Sequence, residues 1–231
     1  GLLSHIPASD VDVEESWSGE ECLFRISGTV REQHADGTFL TLRRSIETRL
    51  GSASLAIVDE VVNNGSGRAP LMLLYHINLG WPLLDEGAFL AVRSRGTTPR
   101  DADAAAGLTQ ARRYTLPVAG FREQVFYHDL EEDADGFSSA ALVNPRLALG
   151  VTVRFRRREL PRFTEWKMMA QGTYVVGLEP ANCGVEGRAH ERSRGTLQFL
   201  NPGERRSFRV EIGVLDGAEA LSAFLKDYSL A

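Results

Sequence analysis

Apolar residues recur at every second position over two long stretches of the chain. Leu147, Leu149, Val151, Val153 and Phe155 alternate with other residues, and Phe208, Val210, Ile212 and Val214 alternate across Arg209, Glu211 and Gly213. A two-residue period puts the apolar set on one side of a pleated strand, so both stretches predict half-buried strands. Shorter strands are predicted over 39–50, 55–62, 71–77, 89–92, 124–127, 174–178 and 196–200, separated by turn chemistry at Asn63-Asn64-Gly65, Asp135-Gly136 and Asn201-Pro202-Gly203. Many short strands joined by turns imply an all-β, antiparallel sandwich or barrel. The period changes once, near the end: Leu221, Phe224, Leu225 and Tyr228 fall at helical spacing after a possible cap at Asp216, predicting a short C-terminal helix over one end of the sheet. Residues 94–107, rich in Arg, Thr, Asp and Ala, break the strand pattern and read as a surface loop. No internal repeat is visible.

Composition narrows the class. With 231 residues, 43% of them hydrophobic, the chain can bury one sizeable core, and residues 1–231 read as one domain. No apolar run approaches the ~20 residues of a membrane-spanning helix. A net charge of −5 supplies no basic field for capturing nucleic acid. Cys22 and Cys183 stand far apart without a CxxC, which predicts unpaired thiols and a reducing, cytoplasmic setting, and no secretory leader opens the chain. Gly1-Leu2-Leu3-Ser4-His5-Ile6-Pro7 reads instead as the interior of a domain, so further N-terminal residues are expected before Gly1.

The chain has no GxGxxG, Walker loop, HExxH or GxSxG, which removes dinucleotide binding, phosphoryl transfer, zinc proteolysis and elbow-type serine hydrolysis from consideration. Asp133-Ala134-Asp135-Gly136 lacks the downstream Glu of a calcium loop and reads as a solvated turn, so no metal is assigned. Asn64-Gly65-Ser66 has the form of a glycosylation sequon but reads as a hairpin turn with positive φ. Arg154, Arg156, Arg157, Arg158 and Arg162 read as a solvated strand face, with an anion site as the minor alternative.

Two segments carry polar groups where a plain strand needs none. One runs Leu73-Leu74-Tyr75-His76-Ile77-Asn78-Leu79-Gly80-Trp81-Pro82. The other begins Trp166-Lys167-Met168-Met169 and ends Gly177-Leu178-Glu179-Pro180-Ala181-Asn182-Cys183. Each places an ionisable group at the end of an apolar strand, where the backbone is fixed and the side chain faces a loop-lined cleft. Together with Glu123-Gln124-Val125-Phe126, Leu160-Pro161-x-Phe163 and Asn201-Pro202-Gly203-Glu204, this pattern resembles the aldose 1-epimerase (galactose mutarotase-like) superfamily, and within it the DUF4432 branch, over residues 1 to about 215.

The resemblance implies a large antiparallel β-sandwich, the galactose mutarotase-like supersandwich, lacking N-terminal strands and ending in a short helix. It implies a small-molecule sugar as substrate, and a cofactor-independent isomerase with His76 as general acid and Glu179 as general base. Asn78, Glu123, Gln124, Trp166, Lys167 and Asn182 would surround the sugar. Relatives carry a His-Gly pair, then an Arg, before a Pro-Ala. Here Gly1 takes the Gly position, Leu2 or Leu3 the Arg position and Pro7-Ala8 the later pair, so the first His would precede Gly1. Ring opening at an anomeric carbon needs a base for the O1 proton and an acid for the ring oxygen, and no redox step. The rival readings are a non-catalytic carbohydrate-binding domain of the same fold and a purely structural sandwich. His128-Asp129 is a possible second pair in the cleft, with solvated strand-end residues as the alternative; Trp81, Trp166 and Tyr174 either stack on a sugar or fill the core. His5, His34 and His190 read as surface, and the oligomeric state is open.

Overall fold

The alternating stretches become antiparallel sheet wherever one of their two phases is covered. A computed structural model describes residues 3–226 and Tyr228. The chain divides into two units, Gly1–Met72 with Val185–Glu211, and Leu73–Gly184 with Ile212–Ala231. Among the described residues no helix is long and apolar enough to cross a membrane.

In the first unit β1 (Ser9–Ser18), β2 (Glu21–Gln33), β3 (Phe39–Arg49) and β4 (Ser54–Asn63) form an antiparallel meander, followed by the short β5 (Ala69–Leu71). Leu42 of β3 lies across from Val61 of β4, both buried, and two residues along the same face Arg44 clasps the buried Asp59 carboxylate through two hydrogen bonds of 2.8 and 2.7 Å. A bidentate pair of this kind fixes orientation as well as charge. Asn63-Asn64-Gly65 departs from the expected hairpin. It links β4 to β5, and Gly65 does not have positive φ; a Cβ there would sit 2.7 Å from the Gly37 carbonyl oxygen, so close backbone approach is what demands glycine. Asn63 organises the turn by accepting from Gly65 N at 2.9 Å and donating to the Gly67 and Leu200 carbonyls.

The second unit holds β6 (Ile77–Gly80), β7 (Phe89–Val92), β8 (Ser94–Pro99), α1 (Ala102–Ala106), β9 (Gln124–Leu130), β10 (Phe137–Asn144), β11 (Leu149–Arg156), β12 (Arg162–Ala170) and β13 (Thr173–Ala181). The chain then returns to the first unit through α2 (Arg188–Ser193), β14 (Gln198–Leu200), which pairs with β5, and the start of β15 (Arg205–Asp216). The end of β15 and α3 (Gly217–Leu225) belong to the second unit. Sheet order is β1-β2-β3-β4-β15 in the first unit; the second contains β15-β11-β10-β7 and a separate sheet β6-β13-β12-β9-β8.

The second unit is a sandwich of these two sheets. Phe155 of β11 stacks on Phe163 of β12 with centroids 6.0 Å apart and planes 5° from parallel, an aromatic contact worth about 0.5–1.5 kcal/mol beyond its buried area. The other face of the β11-β10-β7 sheet carries Ala91, Ala141 and Val143, and on these lies the expected C-terminal helix, α3, through Leu221. The helix therefore covers a sheet face rather than one end. Residues 94–107, read as a loop, form β8 and α1, with the Asp101 carboxylate accepting from Ala104 N at 3.0 Å as N-cap. The strand expected over 71–77 is interrupted: β5 ends at Leu71 and β6 begins at Ile77. Asp133 closes the β9–β10 turn, accepting from Asp135 N and Phe137 N, and pairs with Arg154 at 3.2 Å. Arg157 likewise pairs with Asp129 at 2.6 Å, and Arg154 and Arg156 lie over the Phe137 ring, so these members of the basic run have partners within the chain. Cys22 and Cys183 are both buried, and no disulfide joins them.

Candidate functional site

The site grows from the register of β6, β13 and β12. Trp166 lies across from Gly177, and Gly177 across from Asn78, so the three share one face of the sheet; Glu179, two residues beyond Gly177, shares it too. Ile77 pairs with Leu178, and one step further the Tyr75 N–H donates to the Pro180 carbonyl at 3.1 Å. His76, between Tyr75 and Ile77, is thereby set against Glu179. Asn182 steadies this approach, its side-chain oxygen accepting from Leu73 N at 2.7 Å while its own N–H donates to the Leu73 carbonyl.

His76 Nε2 lies 2.9 Å from Glu179 Oε1. The Glu179 side chain is 4% exposed and that of His76 44%, so the carboxylate forms the floor and the imidazole the rim. The hydrogen bond to Glu179 holds the His76 pKa above its ordinary value, against the opposing effect of burial, and Asn78 adds a further hydrogen bond in the same direction. Gly177 makes the arrangement possible. A Cβ there would sit 2.7 Å from Glu179 Oε1 and 2.9 Å from His76 Cε1, so only a residue without a side chain leaves room for the pair. On the other side, the His76 ring meets Trp166 edge-on with centroids 5.6 Å apart.

Trp166 extends the cluster. Its indole N–H donates to Glu123 Oε2 at 2.9 Å, and Arg100 donates to Glu123 Oε1 at 2.8 Å. These bonds, the indole's first, hold the Glu123 carboxyl below the usual carboxylate range. Arg100 had no signal in the sequence, because its link to Glu123 joins two loops. Gly177 did carry one: a glycine inside an apolar strand marks a bulge or a close approach.

The other expected site residues lie elsewhere. Lys167 alternates with Trp166 onto the core face, where its buried ammonium donates to the carbonyls of Gln110, Ala111 and Arg113. Gln124 donates to the Asp103 carbonyl at 3.1 Å and packs its amide against Gly107. Tyr174 donates to the Thr115 carbonyl at 2.6 Å, its hydroxyl pushed up to about 12 chiefly by burial, and Trp81 is largely exposed. His128 is neither in the cleft nor at the surface. It is buried on the core face, with one ring nitrogen 2.9 Å from Glu165 and the other 3.0 Å from the Thr97 hydroxyl, and Tyr114 donates to the second Glu165 oxygen at 2.7 Å. Gly1 and Leu2, matched above to family positions, lie outside the described residues; Leu3 begins a single helical turn, Leu3–His5, and Pro7-Ala8 precede β1.

Comparison with known proteins adds the following. The model of a family described as a domain of unknown function, DUF4432, matches residues 1–214. No curated protein matches the sequence. Among solved structures, a putative aldose 1-epimerase from Klebsiella pneumoniae subsp. pneumoniae MGH 78578 is 28% identical, with a TM-score of 0.93 over 98% of this chain and 59% of that one. The chain thus spans about three-fifths of that relative's length. A galactose mutarotase-like protein from Clostridium acetobutylicum and the galactose 1-epimerase of Lactobacillus acidophilus NCFM are each 15% identical, with TM-scores of 0.58 and 0.57 over 90% of this chain and 67% of theirs. At that identity they show the fold alone, which is the galactose mutarotase-like antiparallel fold.

Proposed function

The chain belongs to the DUF4432 family, and from that premise we propose that it is a sugar mutarotase that interconverts the anomers of an aldose by acid–base ring opening at His76 and Glu179. The observation that carries this reading is the 2.9 Å separation of His76 Nε2 and Glu179 Oε1. The two oxygens that exchange protons during ring opening, O1 and the ring oxygen, are bonded to the same carbon, so acid and base must converge on one small region, each within hydrogen-bond reach of its own oxygen. Glu179 takes the O1 proton, His76 gives one to the ring oxygen, and the bond between the anomeric carbon and the ring oxygen breaks to leave an open aldehyde. Rotation about C1–C2 presents the other carbonyl face, and closure runs with the roles reversed. The hydrogen bond to Glu179 raises the His76 pKa and so favours the protonated imidazole that an acid in this step requires. Closure itself restores the starting state, because Glu179 returns its proton to O1 while His76 takes back the one on the former ring oxygen.

Around the pair, Asn78 and Glu123 supply hydrogen-bonding groups for sugar hydroxyls and Trp166 an aromatic surface, with Arg100 holding Glu123 ionised and oriented. Proton transfer alone suffices, so this reading calls for no cofactor. Saturation-transfer NMR of anomeric protons over a panel of aldoses tests it. The chain should accelerate exchange for at least one sugar, and Glu179→Gln should abolish the acceleration while leaving affinity within a few-fold. Acceleration retained in Glu179→Gln would overturn the assignment of the base. Sugar binding without any exchange would favour the carbohydrate-binding alternative.

A further inference from the structure

The second unit contains a cavity of about 480 Å³ that none of the groups above uses. Its size falls within the ~300–1,000 Å³ of small-molecule sites. Phe89, Leu90 and Leu108 give it apolar walls, Thr97 contributes a hydroxyl already held by His128, and Arg112 and Arg113 lie side by side along it. Among the described residues neither of these guanidiniums has a carboxylate or other side-chain partner. Other arginines of the same unit do: Arg93 pairs with Glu131 at 3.0 Å, Arg100 with Glu123 at 2.8 Å and Arg146 with Asp85.

The wall that carries the arginines is tied down. Lys167 spends its three donors on the carbonyls of Gln110, Ala111 and Arg113, Leu90 N donates to the Arg112 carbonyl at 2.8 Å, and Tyr114 is anchored through its N–H to Ala88 and through its hydroxyl to Glu165. Burying an ammonium to hold one loop is costly unless every donor is satisfied, and here the result is a pre-formed wall presenting two adjacent, unneutralised cations beside apolar surface. A ligand entering such a site loses little of its affinity to ordering the protein.

We propose that this cavity binds a small amphipathic anion, its charged head on Arg112 and Arg113 and its apolar body against Phe89, Leu90 and Leu108. The proposal stands independently of the reading of His76 and Glu179. The probe is 8-anilinonaphthalene-1-sulfonate, an aromatic body bearing one sulfonate, whose fluorescence rises on entering an apolar site. The chain should show saturable, one-to-one enhancement. Arg112→Gln combined with Arg113→Gln should weaken binding at least tenfold, about 1.4 kcal/mol. Leu108→Trp, which fills the space and keeps both arginines, should abolish it, and Glu179→Gln should leave it unchanged. Octanoate should displace the probe at concentrations where inorganic phosphate does not. No saturable signal, binding that survives loss of both arginines, or binding that falls with Glu179→Gln would overturn the proposal. Equal displacement by phosphate would overturn the amphipathic ligand in favour of a plain anion.

Discussion

Gly177→Ala is the smallest change that separates the catalytic reading from a structural one. The added methyl would lie 2.7 Å from Glu179 Oε1 and 2.9 Å from His76 Cε1, where an ordinary contact starts near 3.4 Å. The carboxylate or the imidazole must therefore retreat by about 0.7 Å, stretching the 2.9 Å contact toward the ~3.6 Å at which a hydrogen bond ceases to exist. A misplacement of about 1 Å can cost ~10²-fold in rate, so anomer exchange should fall roughly 10- to 100-fold. Stability should hardly move. Gly177 has no left-handed φ, so alanine is compatible with its backbone and stabilises by about 0.4–1 kcal/mol through the unfolded chain. Weakening an ion pair whose His76 side chain is 44% exposed costs about 0–1 kcal/mol. The two effects nearly cancel, and urea unfolding should place the variant within about 1 kcal/mol of the parent. Gly80→Ala in β6 is the control, since its methyl would meet only the Tyr174 carbonyl oxygen at 3.4 Å; it should leave exchange intact. A Gly177→Ala variant that exchanges anomers like the parent would refute the claim that the close His76–Glu179 geometry carries the chemistry.

Two further outcomes follow from the electrostatics. NMR titration of the His76 ring should give an apparent pKa above 6.5 that drops toward 6.5 in Glu179→Gln. Because the folded value is the raised one, the stabilisation from protonated His76 is complete below about pH 6.5 and fades as pH rises through the folded pKa; the stability gap between the parent and His76→Asn should close over that window. A ring titrating at or below 6.5 in the parent would contradict the assignment. Glu165→Ala should cost about 3–5 kcal/mol in urea unfolding, since it strands the buried Tyr114 hydroxyl and His128, whereas exchange per folded molecule should persist; a loss under 1 kcal/mol would show that this network carries little of the stability.

What the sequence made legible follows from how each strand is covered. β11 and β15 announced themselves because Val153 and Phe155, and Phe208 and Val210, are buried while the residues between them are not, β3 and β4 through runs of apolar and β-branched residues, and α3 because Leu221 and its helical neighbours form a single stripe. β1 was silent because its alternating Val11, Val13 and Trp17 are interrupted on the same phase by Glu15, and both of its faces are exposed. β10 was silent for the opposite reason: Leu142 faces the sandwich core and Val143 lies under α3, so its residues run apolar on both phases. β12 was hidden because its core phase, Phe163, Glu165, Lys167 and Met169, contains two charged groups that only Tyr114, His128 and the 110–113 carbonyls make tolerable. The same fact explains why Lys167 read as a sugar ligand: a charge inside a family motif looks functional until the strand's phase is known. His76, Asn78 and Glu179 emerged as candidates from their motif, but their juxtaposition is a matter of register, and Arg100 needed the fold to reach Glu123.

The central claim is that His76 and Glu179 act as one acid–base unit, and a double-mutant cycle in anomer exchange tests it most directly. Exchange rates would be measured for the parent, His76→Asn, Glu179→Gln and the combined variant, with a melting temperature for each. The account expects each single change to lower the rate at least ~10²-fold with little thermal cost, and the double variant to be no slower than the slower single, because groups acting in concert are lost together. Single variants that melt early yet exchange anomers at the parent's rate, or losses that simply multiply in the double variant, would contradict it.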